Sequence, residues 1–332
     1  MIDQRFMART VANRPRQVKV GEIVLLFDGF ANNGALADVR NHKIMNHMKI
    51  KPNHSLNRRQ FVRLSLGGLG ALACHQSLPD LHAAPAAKKI PIGVQLYSVR
   101  HQCAKDVAGV LEAIGKMGYK GVEYAGYYDK SAKELRKLMD DNGLVCCGTH
   151  AQLKTLTGDA LKGTIEFNRV LGNKYLICPS MSAPTKQGWL EKAKFFNDLA
   201  DTLKAEGMVT GYHAHGGDFK KYDDETAWDI FFGNTKKEVV MQMDTGNAMG
   251  GGADPVEILK KYPGRALTIH LKEHGGPKEA VIGGGQVNWP EVFKLCEAGG
   301  TEWYIVEHER GGPDPVGDIK RCFEALKAMG KV

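Results

Sequence analysis

Several familiar sequence patterns are absent from this chain. None of its seven cysteines forms a CxxC pair, and three of them lie in apolar runs, which favours buried thiols over disulfides or a zinc ribbon. No Gly-x-Gly-x-x-Gly turn follows the first predicted strand, and the Gly-rich turns at 249–252 and 283–285 lack P-loop spacing. The apolar stretch 64–74 is too short to span a bilayer. These absences argue against a dinucleotide-binding domain and against a membrane anchor at that stretch.

The chain also has little net charge beyond residue 86. The whole sequence has 45 Lys and Arg against 37 Asp and Glu, a formal net charge of +8. Residues 1–86 hold 12 basic and 5 acidic residues, which leaves 45 − 12 = 33 basic and 37 − 5 = 32 acidic residues for 87–332. A nearly neutral body offers no basic footprint for a phosphate backbone. We therefore expect no nucleic-acid partner.

The first 86 residues are expected to be separate from the folded body. Residues 48–86 contain paired arginines at 58–59, the apolar stretch 64–74 and the small-residue pattern Ala-Pro-Ala at 84–86. This order predicts a secretory signal, and the paired arginines resemble a twin-arginine export signal. Residues 1–47 are expected to be a disordered or non-native extension. The prediction is a periplasmic or otherwise exported protein without a stable membrane anchor after signal cleavage.

Eight short apolar runs recur after residue 89, separated by stretches with helical periodicity. They are 90–97, 121–125, 144–150, 175–179, 209–215, 239–244, 266–272 and 302–307. Their starts lie about 23 to 36 residues apart, which is the length of a β-strand followed by a crossover helix. Eight such units over 89–330 predict an α/β fold, a single (β/α)8 TIM barrel. A doubly wound open sheet is the alternative.

Helix signals fill the intervals between these runs. Ser131 and Glu134 form a capping box, and Asn288 followed by Pro290 marks another helix start. Further helices are predicted over 106–117, 189–206 and 314–329. Each of these three stretches places apolar residues on one face, as expected for a helix that covers a sheet.

Four of the apolar runs end in a side chain that can bind a metal. On consecutive predicted strands, these residues are His213, Asp244, His270 and Glu307. The carboxyl ends of parallel barrel strands meet at one face, where active sites lie, so these side chains are expected to converge. Two imidazoles and two carboxylates suit one divalent ion, Mn²⁺, Co²⁺, Zn²⁺ or Fe²⁺. His215 points to the same side of its strand as His213 and is the alternative ligand there.

Other polar residues near the strand ends are candidates for substrate binding. They are Glu123, His150, His215, Asn247 and Lys272. An unpaired ammonium inside a barrel mouth is costly, which favours a substrate contact for Lys272. Glu123 is equally consistent with a structural ion pair. Two aromatic residues near the mouth, Tyr97 and Tyr127, either form a wall of the pocket or pack in the core.

As a set, the motifs that carry these residues resemble the sugar phosphate isomerase/epimerase family of xylose isomerase-like TIM barrels. The motifs read IPIGVQLYSVR, GVEYAG, GYHAH, MDTGNA, IHLKE and YIVEHE, and the resemblance covers residues 89–330. In that family one residue from each of strands 5 to 8 binds a divalent metal, which implies the four residues named above as ligands. Many relatives have Glu at the strand-5 position, where this chain has His213 in a Tyr-His-Ala-His sequence. This departure leaves the activity itself open.

The resemblance implies proton abstraction next to a carbonyl, with an enediolate stabilised by the metal. Glu307 is implied as a catalytic base, and Asp218, in the sequence GGDF, as the second catalytic residue on the other face of the substrate. The predicted function is that of a metal-dependent sugar isomerase or epimerase in carbohydrate metabolism, with a small carbohydrate as substrate. Barrels of this type often pair, which leaves a homodimer open.

Two other functions remain as alternatives. The same metal and base can eliminate a group β to a ketone, which would make the chain a lyase or hydratase acting on 3-keto-glycosides. The predicted export favours this alternative, because phosphorylated sugars are cytoplasmic. A non-catalytic sugar-binding barrel is the second alternative. The nearly neutral body argues against a DNA-repair enzyme of the endonuclease IV type.

Overall fold

The computed structural model describes residues 89–310 and 312–332. The predicted extension 1–47 and the predicted export signal 48–86 lie outside the described residues, so both stay predictions. The described residues form a closed barrel of strands surrounded by helices. Within them, no helix is both long enough and apolar enough to cross a membrane.

Eight parallel strands form the barrel. They are β1 Ile92–Gln95, β2 Gly121–Tyr124, β3 Val145–His150, β4 Tyr175–Cys178, β5 Val209–His213, β6 Val240–Asp244, β7 Thr268–Leu271 and β8 Trp303–Val306. Their order around the barrel is β1-β8-β7-β6-β5-β4-β3-β2, and β1 pairs with both β8 and β2 to close it. Each apolar run predicted from the sequence contains one of these strands. The TIM barrel is therefore confirmed, and the open-sheet alternative is wrong.

The outer layer consists of helices that follow the strands. They are α1 Arg100–Met117, α2 Ala132–Asp141, α3 Gly158–Leu171, α4 Lys186–Ala205, α5 Ala227–Gly233, α6 Thr245–Gly250, α7 Pro255–Lys261, α8 Trp289–Gly299 and α9 Pro315–Ala328. The predicted capping box at the start of α2 forms, with Ser131 Oγ accepting from the N–H of Glu134 and the Glu134 carboxylate accepting from the N–H of Ser131. Helix α1 begins at Arg100, earlier than the predicted 106, and is kinked at Asp106.

The strands are buried on both faces, which explains why they are apolar runs rather than alternating patterns. Inward side chains fill the barrel, and outward side chains pack under the helices. The six cysteines of the described residues are free and buried, as predicted.

Polar residues interrupt the apolar strands near their carboxyl ends. The strand register pairs Asp244 with His270. It also pairs Gln95 with Glu123. These pairings bring polar side chains of neighbouring strands to similar heights in the barrel. A candidate site therefore lies at the end of the barrel where the sequence predicts one.

Candidate metal centre

The four predicted metal ligands lie together at the carboxyl end of the barrel. His213 and Asp244 are the last residues of β5 and β6. His270 lies in β7, and Glu307 directly follows β8. All four side chains are buried, and each offers one donor atom such that these atoms lie within 4.8 Å of one another. The structure thus brings together the residues that the sequence singled out, and metal binding by them remains a prediction.

The carboxylate of Asp244 has one oxygen without a hydrogen-bond partner among the described residues. Its Oδ1 accepts from the backbone N–H of Asn247 at 2.7 Å. Its Oδ2 is buried and unpartnered, with His270 Nδ1 at 3.9 Å and Lys272 Nζ at 4.0 Å. A buried carboxylate oxygen without a partner is destabilising. A divalent cation among the four ligands would supply that partner, so the donor set fits such an ion.

The imidazole of His270 is held between two carboxylates. Its Nδ1 lies 2.6 Å from Glu307 Oε2, and its Nε2 lies 2.6 Å from Glu123 Oε2. Burial lowers the pKa of His270, but the two carboxylates outweigh burial and raise the pKa to about 10. A metal at Nδ1 would have to displace a proton, as metal binding to imidazole generally does. The bond from Nε2 to Glu123 is the kind of outer contact that orients a ligand histidine.

The two carboxylates of the ligand set differ in the direction of their pKa shift. Burial raises the pKa of Asp244 to about 7 and Glu307 adds to that rise, although Lys272 and His270 oppose it. Burial also acts on Glu307, but His270 and Lys272 outweigh it and hold the pKa of Glu307 well below its usual range. The same two cations therefore act on both carboxylates, but they outweigh burial only at Glu307, with which they form hydrogen bonds. An added cation would relieve this imbalance.

A second group of candidate ligands overlaps the first. Donor atoms of His150, His213 and His270 also lie within 4.8 Å of one another. The two groups share His213 and His270, so they describe one region of the barrel rather than two sites. The unpartnered Oδ2 of Asp244 favours the group that includes the carboxylates.

A cavity of about 420 Å³ opens at this end of the barrel. Its lining residues are Tyr97, Ala125, His150, Gln152, Pro179, Ser180, His213, His215, Glu307 and Glu309. Two of the candidate ligands, His213 and Glu307, belong to this lining. The cavity is in the size range of small-molecule sites, and its polar lining suits a hydroxylated substrate.

Two of the predicted substrate-binding residues line this cavity. They are His150 and His215. A third, Lys272, is paired with carboxylates, since its Nζ lies 2.9 Å from Glu307 Oε1 and 2.5 Å from Glu309 Oε2. The ammonium of Lys272 therefore has carboxylate partners within the protein. A direct contact of Lys272 with substrate stays a prediction.

Glu123 and Asn247 are not among the residues that line the cavity, and substrate binding by either residue stays a prediction. Glu123 is fully buried and accepts from Gln95 Nε2 at 2.7 Å in addition to contacting His270. The alternative prediction, a structural ion pair, fits this position. The side chain of Asn247 donates to the carbonyl of Ala214 at 2.9 Å, so it holds the segment after β5.

Asp218, predicted as the second catalytic residue, is held by hydrogen bonds from the protein. Its Oδ1 accepts from the hydroxyl of Tyr212 at 2.7 Å, and its Oδ2 accepts from the backbone N–H of His215 at 2.7 Å. The residue is buried in the turn Gly216–Phe219 and is not part of the cavity lining. Both oxygens thus hold the loop after β5, so we do not assign the catalytic role to Asp218.

Sequence reasoning missed residues that support or line the site. They are Gln95, Gln152, Ser180, Gln242 and Glu309. One signal was available: Gln242 precedes Asp244 by two positions in β6, so both side chains point to the same side of the strand. An amide inside an otherwise apolar strand is unusual enough to indicate a buried polar network.

The two tyrosines near the mouth differ in role. Tyr97 is 43% exposed and lines the cavity, with the guanidinium of Arg100 stacked 4.1 Å from its ring centre. Tyr127 packs on Phe167 with ring centres 4.0 Å apart, and its hydroxyl accepts from Asn168 at 3.2 Å. Tyr97 is therefore placed to contact a ligand, whereas Tyr127 belongs to the packing between the barrel and α3.

This chain is similar to several known proteins. An inosose dehydratase from Serratia proteamaculans (strain 568) is 27% identical over 258 residues, covering 64% of this chain and 84% of that protein. Two structures of a sugar phosphate isomerase/epimerase from Parabacteroides distasonis ATCC 8503 are 25% and 28% identical. Their TM-scores are 0.64 and 0.63, and the matches cover 75% and 72% of this chain and 97% and 98% of theirs.

The similar proteins thus carry names of two reaction types, a dehydratase and an isomerase or epimerase, on one fold. The family model described as "Xylose isomerase-like TIM barrel" matches residues 111–329, which is more than half of the chain. The match covers β2 to β8 and with them all four candidate ligands. The chain therefore belongs to the xylose isomerase-like TIM barrel family.

Proposed function

We propose that this protein is a divalent-metal-dependent lyase that acts on a small keto-sugar or keto-polyol. It would remove the proton from the carbon next to the carbonyl and expel the oxygen substituent on the following carbon. The observation that carries the proposal is the buried, unpartnered Oδ2 of Asp244 among three other ligand residues, beside a cavity that His213 and Glu307 line. Similarity to an inosose dehydratase supports elimination as the reaction type.

When bound, a divalent ion would polarise the substrate carbonyl and make the adjacent proton more acidic. Glu307 is assigned as the base, because it lines the cavity and its neighbours keep it ionised. It takes the proton, and the C–H electron pair moves toward the carbonyl. That pair then forms a carbon–carbon double bond as the bond to the leaving oxygen breaks. The leaving oxygen takes a proton and departs as water or an alcohol, with the imidazoles of His150 and His215 in the same lining.

A sugar isomerase or epimerase is the second candidate, favoured by the likeness to the two Parabacteroides structures. It would use the same first step. Epimerisation needs proton-transfer groups on both faces of the substrate. The cavity-lining carboxylates, Glu307 and Glu309, both come from the segment after β8. Both oxygens of Asp218 already accept hydrogen bonds, from Tyr212 and His215. The similarity to an inosose dehydratase therefore supports elimination as the first choice.

Incubation of candidate substrates in D₂O tests the proposal. The panel would contain an inosose and methyl 3-keto-glucoside, with Mn²⁺, Co²⁺ or Zn²⁺ added to the full chain. A lyase would release water or methanol and form an unsaturated ketone. Deuterium at the carbon next to the carbonyl without release would indicate the isomerase type instead.

Matched variants make this experiment specific to the centre. Asp244→Ala should abolish both exchange and release, whereas Asp198→Ala, on the exposed face of α4, should change neither. Absence of exchange and release with every metal and substrate in the wild type would refute the proposed function and favour a sugar-binding barrel.

We also propose that the protein is exported, which rests on the paired arginines at 58–59 and the pattern that follows them. Export would favour an unphosphorylated substrate. Fractionation of cells that express the full chain tests this point, with Arg58→Lys and Arg59→Lys combined as the export-defective variant. Equal amounts of the wild type and of the variant in the cytoplasm would refute export.

A further inference from the structure

The side chain of Gln242 is fully buried at the centre of the barrel and has four polar neighbours. Its Nε2 lies 2.8 Å from Glu123 Oε1 and 3.1 Å from Thr268 Oγ1. Its Oε1 lies 2.9 Å from His150 Nε2 and 3.1 Å from His213 Nδ1. One amide thus contacts both a candidate metal ligand and an imidazole of the cavity lining.

The orientation of this amide is fixed by its neighbours. Rotation of the amide by 180° would place its carbonyl oxygen against the carboxylate of Glu123, where a donor is needed. Glu123 is the acceptor for a second amide as well, since Gln95 Nε2 lies 2.7 Å from its Oε2. The Gln95 amide is itself oriented by the backbone N–H of Tyr97, which donates to its Oε1. The Nε2 of Gln242 must therefore face Glu123, and its Oε1 must face the two imidazoles.

An amide oxygen can only accept hydrogen bonds, so both nitrogens that face it must carry hydrogen. His213 is then protonated at Nδ1, which leaves the lone pair on Nε2. His150 is protonated at Nε2, where Glu123 Oε2 at 3.2 Å is a second acceptor, and this leaves the lone pair on Nδ1. None of the hydrogen bonds among residues 89–310 and 312–332 uses Nδ1 of His150. His150 is one of the residues that line the cavity.

We propose that Gln242 is a positioning residue that selects the tautomers of two histidines, and that His150 exchanges protons with the substrate through Nδ1. The inference rests on the proposed function in one respect, the use of these lone pairs in metal binding and proton transfer. In His213 the selected tautomer presents Nε2 to the metal. In His150 the selected tautomer leaves the lone pair on Nδ1, which passes a proton to the leaving oxygen.

The protonated form of His150 fits the same contacts. A proton taken up at Nδ1 leaves the Nε2–H bond to Gln242 and Glu123 unchanged. The imidazole can therefore take up a proton from solvent at Nδ1 and donate it to the leaving oxygen without rotating, while Glu307 keeps the proton removed from carbon. In the opposite tautomer, Nε2 would face two acceptors without a hydrogen, and Nδ1 would carry a hydrogen toward the cavity.

Nitrogen NMR of the full chain with ¹⁵N-labelled histidine tests the tautomers directly, without metal or substrate. Single variants of His150 and His213 assign the signals. The expected result is a protonated Nδ1 with an unprotonated Nε2 in His213, and the reverse in His150. The opposite tautomer at either residue would overturn the inference. This readout separates it from the proposed function, since inactive protein with the expected tautomers would refute only the latter.

Substitutions at Gln242 test whether it is the selecting residue. Gln242→Met removes the acceptor, and both histidines should become mixtures of tautomers, with Co²⁺ affinity about 10- to 100-fold weaker. Gln242→Glu keeps an acceptor toward the imidazoles and, with a proton on the oxygen that faces Glu123, should retain the tautomers. Thr268→Val is the matched control, because it alters a neighbour of the amide but not its contact with the imidazoles. Unchanged tautomers in Gln242→Met would refute the selecting role.

His150→Gln separates proton transfer from metal binding. We expect kcat to fall about 100-fold or more while Co²⁺ affinity and KM change little, because His150 is not one of the four ligands. A parallel loss of Co²⁺ affinity would show that the group of three imidazoles holds the metal, which would overturn the role given to Nδ1. If a substituted protein does not fold, the NMR measurement on the wild type still decides the tautomers.

Discussion

Two carboxylates of this barrel, Glu307 and Asp218, are buried to the same degree but differ in what surrounds them. Their exposed fractions are 5% and 4%. Glu307 lies between Lys272 and His270, and these cations hold its pKa well below the usual range despite burial. Asp218 has a tyrosine hydroxyl and a backbone N–H as partners and no cation, so burial raises its pKa to about 6.

The comparison shows that burial alone does not identify a catalytic carboxylate. Asp218 is saturated by two donors from its own loop and is not part of the cavity lining, so its carboxylate contributes to loop structure. Glu307 is one of the cavity-lining residues and belongs to a cluster whose Asp244 lacks a partner. The two residues differ in the cations beside Glu307 and in the unpartnered oxygen of the neighbouring Asp244. The following predictions test this difference.

The largest effect is expected for Glu307→Gln. The substitution removes both a candidate ligand and the assigned base. Solvent exchange and turnover should therefore fall about 100- to 10,000-fold. The rate is measured in D₂O with saturating Mn²⁺ or Co²⁺. Turnover within a few-fold of the wild type would contradict the assignment of Glu307 as base.

Glu123→Gln should produce the next largest effect. Glu123 contacts Nε2 of His270 from behind the site, and its loss would weaken the orientation of this ligand. Changes at such outer contacts commonly reduce metal affinity about 10- to 100-fold. Titration with Co²⁺ measures the change. An unchanged affinity would show that His270 is oriented without this contact.

Asp218→Ala should act on stability rather than on the reaction. It leaves the hydroxyl of Tyr212 and the N–H of His215 without their acceptor, which should lower the free energy of unfolding by about 1–3 kcal/mol. Metal content should stay at the wild-type level, and kcat should change by no more than a few-fold. A loss of kcat comparable to that of Glu307→Gln would restore Asp218 as the second catalytic residue.

The same variant has an expected pH dependence with a definite sign. The raised pKa of Asp218, about 6 against about 3.9 in an unfolded chain, means that the folded protein holds the proton more tightly. Its stabilising contribution is therefore largest below pH 4 and decreases as the pH rises through 6. The difference in unfolding free energy between wild type and Asp218→Ala should shrink over this range, by at most about 3 kcal/mol. A difference that grows with pH would contradict this account of the residue.

The smallest effect is expected at the rim of the cavity. Tyr97→Ala removes an exposed ring from the lining and should raise KM a few-fold with little change in kcat, because stacking on an exposed ring contributes little binding energy. Tyr127→Phe, at the ring that packs on Phe167, is the control and should leave KM unchanged. Equal effects on KM would remove the distinction between the two tyrosines.

The barrel could be predicted from the sequence because its signals are local and repeated. Each apolar run contains one strand, since a strand buried on both faces needs no alternation. The convergence of His213, Asp244, His270 and Glu307 followed from the fold, because all four stand at the same end of consecutive parallel strands. Periodicity and strand direction are sufficient for both inferences.

The contacts that assign roles could not be predicted in this way. Whether Asp218 faces the cavity depends on a turn after β5, and its capture by Tyr212 is a contact that no spacing rule gives. The sequence did not distinguish substrate binding from a structural ion pair for Glu123, because its partner, His270, lies 147 residues away in the chain. The role of Gln242 needs the positions of four side chains from different strands.

Metal content by elemental analysis of the purified full chain tests the central claim most directly. After reconstitution with Mn²⁺, Co²⁺ or Zn²⁺ and removal of free metal, we expect about one ion per chain in the wild type and in Asp218→Ala, and none in Asp244→Ala. Absence of bound metal in the wild type, or equal metal in Asp244→Ala, would contradict the claim that the four residues form a metal centre.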